Sequence, residues 1–402
     1  MKLSEILTER GYVYQQSGAT LEEITDGTTR TLYLGVDPTA DSMHVGHLMG
    51  FLVLRRFLEA GHKIIILTGG GTGMIGDPGG KSQERNLLDE ATIAHNAKAV
   101  AAQIRKVFGS SDFIEENNAK WLTKLNLIDF LRDIGKHFTV NSMIKKDTVK
   151  TRLDAESPLS FTEFSYSLLQ GYDFLHLHEQ YGCDVQVGGS DQWTNILSGS
   201  EFIRRKTGDT VYAYTWPLIV NKSTGKKFGK SEGGAVWLDP AKTTPFDFYQ
   251  FWFNTDDVDV EEYLLKMTML PKADIDAVMQ EQKENPAARS AQKNLAFEVT
   301  ALVHGEAEAE KVAKAAEDLF SGASTDYAPT AKVELGASLV DALVISNLAA
   351  SKREARRFIA DGAVQLNGEK VTDEARTLSA DDFTEGKAIL KRGKRNIVAL
   401  TL

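Results

Sequence analysis

Between residues 31 and 220 the chain alternates short apolar runs with stretches whose apolar positions recur every three or four residues. Thr31-Leu32-Tyr33-Leu34-Gly35-Val36, Lys63-Ile64-Ile65-Ile66-Leu67-Thr68, Cys183-Asp184-Val185-Gln186-Val187 and Trp216-Pro217-Leu218-Ile219-Val220 read as strands. Leu48, Phe51, Leu52 and Leu58 lie at helical spacing between the first two. Strands alternating with helices predict βα units around a parallel sheet. Ligands of such sheets bind at the carboxyl ends of the strands. Asp37, the loop from Gly69, and Gly188-Gly189-Ser190-Asp191 all follow strands at that edge, so they are expected to converge on one crevice.

From Pro245 to Phe320 the periodicity is helical, through Leu264, Leu265, Met267, Leu270, Leu295, Ala296, Phe297 and Val299. Residues 321–330 are poor in bulky apolar side chains and read as a linker. Ser351-Lys352-Arg353-Glu354 is a capping-box pattern that opens a helix ending at Gly362. Val364 to Val371 then predicts a hairpin turning at Asn367-Gly368. No internal repeat is evident.

Composition changes this picture little. At 402 residues, 42% hydrophobic and 25% charged, the chain has room for two or three domains with real cores, and nothing in it points to disorder. Its first residues break their apolar run with charges, and no stretch approaches the roughly 20 apolar residues of a membrane span. A cytoplasmic protein without membrane contact is expected. The lone Cys183 excludes an intramolecular disulfide and a cysteine-cluster metal site, and it reads as a small buried hydrophobe. The net charge of −10 argues against an indiscriminate nucleic-acid binder. Yet residues 337–402 hold 11 Lys and Arg against 9 Asp and Glu, a net of +2 that leaves −12 for the rest. Lys387, Lys391, Arg392, Lys394 and Arg395 form a basic cluster with no acid between them.

Two stretches carry most of the chemistry. His44-Val45-Gly46-His47 lies at the expected N-terminus of a helix, where unpaired N–H groups and the helix dipole favour phosphate oxygens. Lys227-Phe228-Gly229-Lys230-Ser231 puts two lysines on a loop loosened by Gly225 and Gly229. Together they suit attack of a carboxylate on the α-phosphate of ATP, in which charge grows on the departing pyrophosphate. Placed donors and cations stabilise that charge, roughly 3 kcal/mol for one preorganised donor. Asp41, His44 and His47 also have the donor types of a metal site. With three-residue steps and Gly46 at a helix start, phosphate and ribose contacts fit them better.

Gly71-x-Gly73-x-x-Gly76 formally matches a dinucleotide fingerprint, but Asp77-Pro78 stands where helix N–H groups must meet phosphate. Gly76 to Lys81 imitates a P-loop one residue too short. Tyr166, Gln170 and Asp173 form a polar stripe at i, i+4 and i+7 on an otherwise apolar helix, which faces either water or a ligand. A ligand is the expectation. Asp191 and Gln192, after two glycines, suit a ribose hydroxyl and the substrate's backbone or carboxylate, although Asp191 also fits as a helix cap.

His-x-Gly-His and Lys-Phe-Gly-Lys-Ser resemble the two signature motifs of class I aminoacyl-tRNA synthetases. With Tyr33 to Asp41, Ile75-Gly76-Asp77-Pro78, Phe161 to Tyr166 and Gly188 to Trp193, essentially the whole chain resembles the bacterial tyrosyl-tRNA synthetases. The resemblance implies an α/β Rossmann-like parallel-sheet catalytic domain over 1–222 and a signature-loop and α-helical anticodon-side domain over 223–320. A linker over 321–336 and a small α+β S4-like RNA-binding domain over 337–402 complete the expected order. It implies activation of L-tyrosine by ATP with Mg2+, transfer to tRNA(Tyr), a homodimer, and no protein-bound metal.

Residue by residue, the resemblance gives Thr39 and His44 to the phosphates and His47 to the ribose region. It gives Lys81, Arg85, Lys227 and Lys230 to pyrophosphate, and adds Gly35, Asp37, Gly46, Asp191, Phe228, Gly229 and Ser231 to the ATP contacts. Asp77, Tyr166 and Gln170 meet the tyrosine ammonium, Tyr33 and Asp173 its phenol, and Gln192 its backbone end. Arg353, Arg356, Arg357, Lys391, Arg392, Lys394 and Arg395 are the expected tRNA contacts. Leu34 and Gly50 depart from relatives that carry a polar ribose contact there. A tryptophanyl-tRNA synthetase and a catalytically degenerate RNA-binding relative are the alternatives, the first disfavoured by Tyr33 with Asp173.

Overall fold

The structure, a computed structural model, describes residues 1–78, 88–109, 112–223, 225, 228–231, 234–321, 328–393 and 396–402. Two compact units divide at Gly305 and Glu306. The first is built on a six-stranded sheet of β1 (Gln15–Ser17), β2 (Thr31–Val36), β3 (Lys63–Thr68), β4 (Ile114–Asn117), β5 (Val185–Gly189) and β6 (Tyr212–Trp216). The strand order is β1-β6-β5-β2-β3-β4, parallel throughout except for antiparallel β1 at the edge. From β2 the chain winds outward through β3 and β4, then returns to build β5 and β6 on the other side. The order therefore reverses between β2 and β5, which is where an open α/β sheet forms its ligand crevice.

Near-continuous apolar runs suit strands that are covered on both faces: Leu32, Tyr33, Ile64 to Leu67, Val185 and Val187 are all buried. The helices between them have clear ends. Phe161–Tyr181 starts at Ser160, whose hydroxyl accepts from the Glu163 N–H, and stops at Gly182 in the left-handed region. The sheet's outer support includes a core of Tyr33, Ile65, Leu67, Phe174 and Phe202. Cys183 is buried in that core, and burial pushes its thiol well up from its ordinary range.

The strand expected over 216–220 is displaced. β6 ends at Trp216, because Pro217 has no N–H with which to continue a ladder. Downstream, β7 (Lys230–Ser231) and β8 (Gly234–Ala235) form a two-stranded ribbon. Helices Pro245–Phe253, Val260–Met267, Lys272–Glu284 and Ser290–His304 follow within the same compact unit, so no break falls at the boundary expected near 222.

The second unit comprises helix Glu306–Ser321, helices Leu339–Ile345 and Lys352–Ala360, and a sheet ordered β11-β10-β12-β13-β9. Its strands are β9 (Thr330–Lys332), β10 (Val364–Leu366), β11 (Glu369–Val371), β12 (Lys387–Arg392) and β13 (Asn396–Thr401). Leu339, Leu343, Ile359, Val364, Leu390 and Leu400 form its core. Ser351 caps the 352–360 helix, and the Asn367-Gly368 turn has both φ angles positive, as its hairpin requires. Within the expected linker, residues 322–327 lie outside the described residues. Thr330–Lys332 is not linker but β9, a three-residue edge strand parallel to β13, too short to leave a periodic signal. Among the described residues no helix is long and apolar enough to cross a membrane.

Candidate active site

The crevice at the β2/β5 reversal is a cavity of about 360 Å³. Tyr33, Gly35, Asp37, Thr39, His44, Gly46, His47, Asp77, Tyr166, Gln170, Asp173, Asp191, Gln192 and Phe228 all line it, although they come from segments up to 195 residues apart. Lys81, Arg85 and Lys227 lie outside the described residues, as do Lys394 and Arg395 in the second unit. Lys230 and Ser231 form β7, and their side chains are likewise not described.

At the floor, Asp173 on the 161–181 helix is buried and accepts from Asn118 Nδ2 at 2.8 Å and from the Trp121 indole N–H at 2.7 Å. Burial raises its carboxyl to about 7, against the pull of those two donors. Asn118 also donates to Thr72 Oγ1 and accepts from the Gly71 N–H. Beside Asp173 stands Tyr33, paired in register with Gln186 across β2 and β5. Burial and the Asp173 charge push the Tyr33 phenol well up. Among the described residues three buried polar atoms here have no partner: the Tyr33 hydroxyl, Gln170 Oε1 and Gln186 Oε1. All three residues line the cavity. Such atoms offer their hydrogen-bonding capacity to whatever occupies the cavity.

Midway up, Asp37 accepts from Tyr166 and from Thr72, each at 2.7 Å, while Asp77 accepts from Gln192 Nε2 at 2.7 Å. The cavity thus gathers two carboxylates and the Gln170 carbonyl around one space, a cradle for a cation. Lys146 approaches Asp77 electrostatically; burial lowers its ammonium to about 8, and Asp77 pulls it back up. The glycine-rich turn serves close packing here, since a Cβ on Gly69 would fall 2.0 Å from Asp37 Oδ1.

At the mouth, the Gly46 N–H donates to His44 Nδ1 at 3.1 Å. A neutral His44 therefore carries its proton on Nε2. His47 Nδ1 lies 3.2 Å from both the N and the O of His44, and the two rings are 4.2 Å apart. Only glycine fits between them: a Cβ at position 46 would come within 2.8 Å of the His44 ring. Asp41, the third member of the possible metal trio, instead pairs with Lys242 at 2.7 Å. Among the described residues no cluster of three His, Cys, Asp or Glu is arranged to hold a metal ion. Phe228 is buried against Phe251, Trp252 and Tyr263, and Gly229 abuts the Gly46 backbone, which ties the second signature stretch to the first.

In the second unit Arg353, Arg356 and Arg357 are exposed on one helix, and Lys391 and Arg392 lie on β12. The Arg357 and Arg392 guanidiniums both pack on Phe358, at 5.3 and 4.9 Å from its ring centre.

Sequence reasoning missed Asn118, Trp121, Thr72, Gln186 and Trp216. Gln186 had left a signal, a lone polar residue inside an apolar strand. Asn118 and Trp121 follow a strand reading Ile-Glu-Glu-Asn, which carries no apolar pattern.

Comparisons with known proteins agree with this geometry. Residues 26–321 match the family described as tRNA synthetases class I (W and Y), and residues 317–400 match the tyrosine--tRNA ligase SYY-like C-terminal domain. The chain is 45% identical to a tyrosine--tRNA ligase of Roseiflexus castenholzii, covering 96% of each, and 46% identical to one of Staphylococcus saprophyticus, covering 98% of this chain and 97% of the relative. Among solved structures, a C-terminally truncated mitochondrial tyrosyl-tRNA synthetase of Aspergillus nidulans matches with a TM-score of 0.71 at 32% identity, over 79% of this chain and 94% of the other. A tryptophanyl-tRNA synthetase of Encephalitozoon cuniculi shares the fold at 14% identity and a TM-score of 0.57.

Proposed function

The chain belongs to the tyrosine–tRNA ligases of the class I aminoacyl-tRNA synthetase family, and from that premise we propose how its cavity divides the reaction. L-tyrosine and ATP give tyrosyl-adenylate and pyrophosphate, and the tyrosyl group then passes to the terminal ribose of tRNA(Tyr). The observation that carries this assignment is the floor of the cavity. An unpartnered Tyr33 hydroxyl beside Asp173 is one donor and one acceptor short, which is what a phenolic hydroxyl supplies. The ammonium lies between Asp77, Tyr166 and Gln170, with Asp37 adding charge, and the carboxylate points towards the mouth near Gln192.

ATP binds over His44 and His47, with Thr39 and the Nε2–H of His44 on phosphate oxygens and Asp191 on the ribose. Lys227 and Lys230, with Lys81 and Arg85, follow the charge that develops on pyrophosphate. The magnesium ion enters with ATP as part of that substrate. The side chains orient and stabilise; none forms a covalent bond to substrate. Once the adenylate is made, the same donors hold it while the tRNA hydroxyl attacks the tyrosyl carbonyl; the ester bond forms as the carbonyl–phosphate oxygen bond breaks, and AMP leaves as the hydroxyl gives up its proton.

The second unit is an S4-like RNA-binding domain on this reading, and Arg353, Arg356, Arg357, Lys391 and Arg392, with Lys394 and Arg395, contact tRNA phosphates. The protein is a homodimer acting in the cytoplasm. Support for a partner comes from Leu127, Ile128, Leu131, Val140 and Phe161, large apolar side chains left exposed along residues 127–161 of the first unit, Phe161 at 75%.

Charging of tRNA(Tyr) with labelled tyrosine tests the function, with tryptophan on its own tRNA alongside. Charging by tyrosine alone is expected. Charging by tryptophan would overturn the specificity, and RNA binding without charging would point to a non-catalytic relative. Sedimentation of the protein and of Phe161→Asp tests the dimer: a dimer that loosens in the variant supports it, and a monomer in both contradicts it.

A further inference from the structure

Trp216 shares the cavity wall with Leu34 and Gly50, neither of which puts a polar side chain there. It is the last residue of β6, paired in register with Gly189 at the end of β5, and it is buried while lining the cavity. One edge of its indole lies on the 48–59 helix at Gly50. A Cβ added there would come within 2.7 Å of Trp216 Cζ2 and 3.3 Å of Cη2, so position 50 holds glycine or the indole must move.

The other edge carries the N–H. A Cβ on Gly189 would lie 3.7 Å from Trp216 Nε1 and 2.7 Å from Asp191 Oδ1, so the indole N–H and the Asp191 carboxylate flank the same glycine. Among the described residues no acceptor takes the indole N–H. An N–H that only donates, next to a carboxylate that only accepts, is the complement of an alcohol, whose single hydroxyl does both.

We propose that Trp216 is a specificity-determining residue for the nucleotide: its indole N–H donates to a ribose hydroxyl of ATP whose own proton goes to Asp191, and Gly50 is kept small so that the indole can lie there. The inference rests on the tyrosine-activation function proposed above. It also gives Gly50 a reason to be small, because an indole lying against position 50 leaves no room there for a side chain.

The test is tyrosine-dependent ATP/pyrophosphate exchange with ATP, 2′-deoxy-ATP and 3′-deoxy-ATP, on the unaltered protein, on Trp216→Phe and on Gly50→Ala. Trp216→Phe keeps an aromatic ring and removes the N–H. It is expected to raise the KM for ATP about three- to tenfold, as for one lost hydrogen bond, and to leave the KM for tyrosine unchanged. The unaltered protein is expected to disfavour at least one deoxy analogue several-fold, and Trp216→Phe to lose most of that preference. Gly50→Ala, by displacing the indole, is expected to give the same ATP-selective loss. Equal use of all three nucleotides by the unaltered protein overturns the proposal whatever the variants do. So does an undiminished deoxy preference in Trp216→Phe, or a parallel rise in both KM values. Absence of any tyrosine-dependent exchange in the unaltered protein would instead bring down the functional assignment, and this inference with it.

Discussion

Around Asp173, at the cavity floor, the polar side chains are buried and tied to one another through Asn118, Trp121 and Thr72, whereas around His44 and His47 the rings are more exposed and rest on their own backbone. The floor has its geometry before substrate arrives. A site of that kind selects, because a ligand lacking the right hydroxyl leaves desolvated groups unmet. The mouth presents donors to a charge that exists only transiently, and its expected lysines, Lys227 and Lys230, stand on either side of Phe228-Gly229 in the sequence. A site of that kind accelerates, because its contacts strengthen as the leaving group departs. Changes at the floor are therefore expected to act on tyrosine, and changes at the mouth on the rate.

The largest effect is expected at the floor. Asp173→Ala strands the Asn118 and Trp121 donors in a buried site, and kcat/KM for tyrosine is predicted to fall by about 10²–10³, from roughly 3–4 kcal/mol for a buried group stripped of its partner. Steady-state exchange kinetics check this, and a loss below tenfold would dissolve the distinction between floor and mouth. At the mouth, His44→Ala removes an Nε2–H donor, and kcat is predicted to fall roughly a hundredfold with the tyrosine KM within about twofold. A matching rise in tyrosine KM would show the two ends to be one site.

Trp121→Phe sharpens the comparison further, since Trp121 reaches the substrate only through Asp173. Its loss of one N–H is predicted to raise the tyrosine KM about three- to tenfold while the KM for ATP stays put. A separate effect is on stability. The folded Asp173 carboxyl is raised from its ordinary value of 3.8 to about 7. Between those values the native state holds a proton that the unfolded chain has released, so this group's contribution to stability is complete below pH 3.8 and is lost as pH rises through 7. The melting temperature of the substrate-free protein, relative to Asp173→Asn, is predicted to decline from pH 5 to pH 7 and then level off. A difference that does not change with pH would contradict the buried, raised carboxyl.

How much of this was legible beforehand follows a physical line. The sheet was readable because parallel strands covered on both faces need unbroken apolar runs, and the Tyr166, Gln170 and Asp173 stripe because helical periodicity exposes its exceptions. Tyr166 bonding to Asp37 was not readable, as 129 residues separate them and neither has a local reason to meet the other. Asn118 and Trp121 escaped because β4 is polar and short. Trp216 is hidden because Trp216-Pro217-Leu218-Ile219-Val220 reads as the start of a strand, whereas β6 ends at Trp216 and sets it at the sheet's ligand-facing edge.

The claim that the floor is wired for a phenol is tested most directly by ATP/pyrophosphate exchange without tRNA, comparing tyrosine with phenylalanine in the unaltered protein and in Asp173→Ala. The unaltered protein is predicted to favour tyrosine strongly in kcat/KM, because phenylalanine leaves the buried polar groups of the floor unmet, and the variant to lose most of that margin. Comparable use of both amino acids by the unaltered protein, or a margin untouched by the substitution, would contradict it.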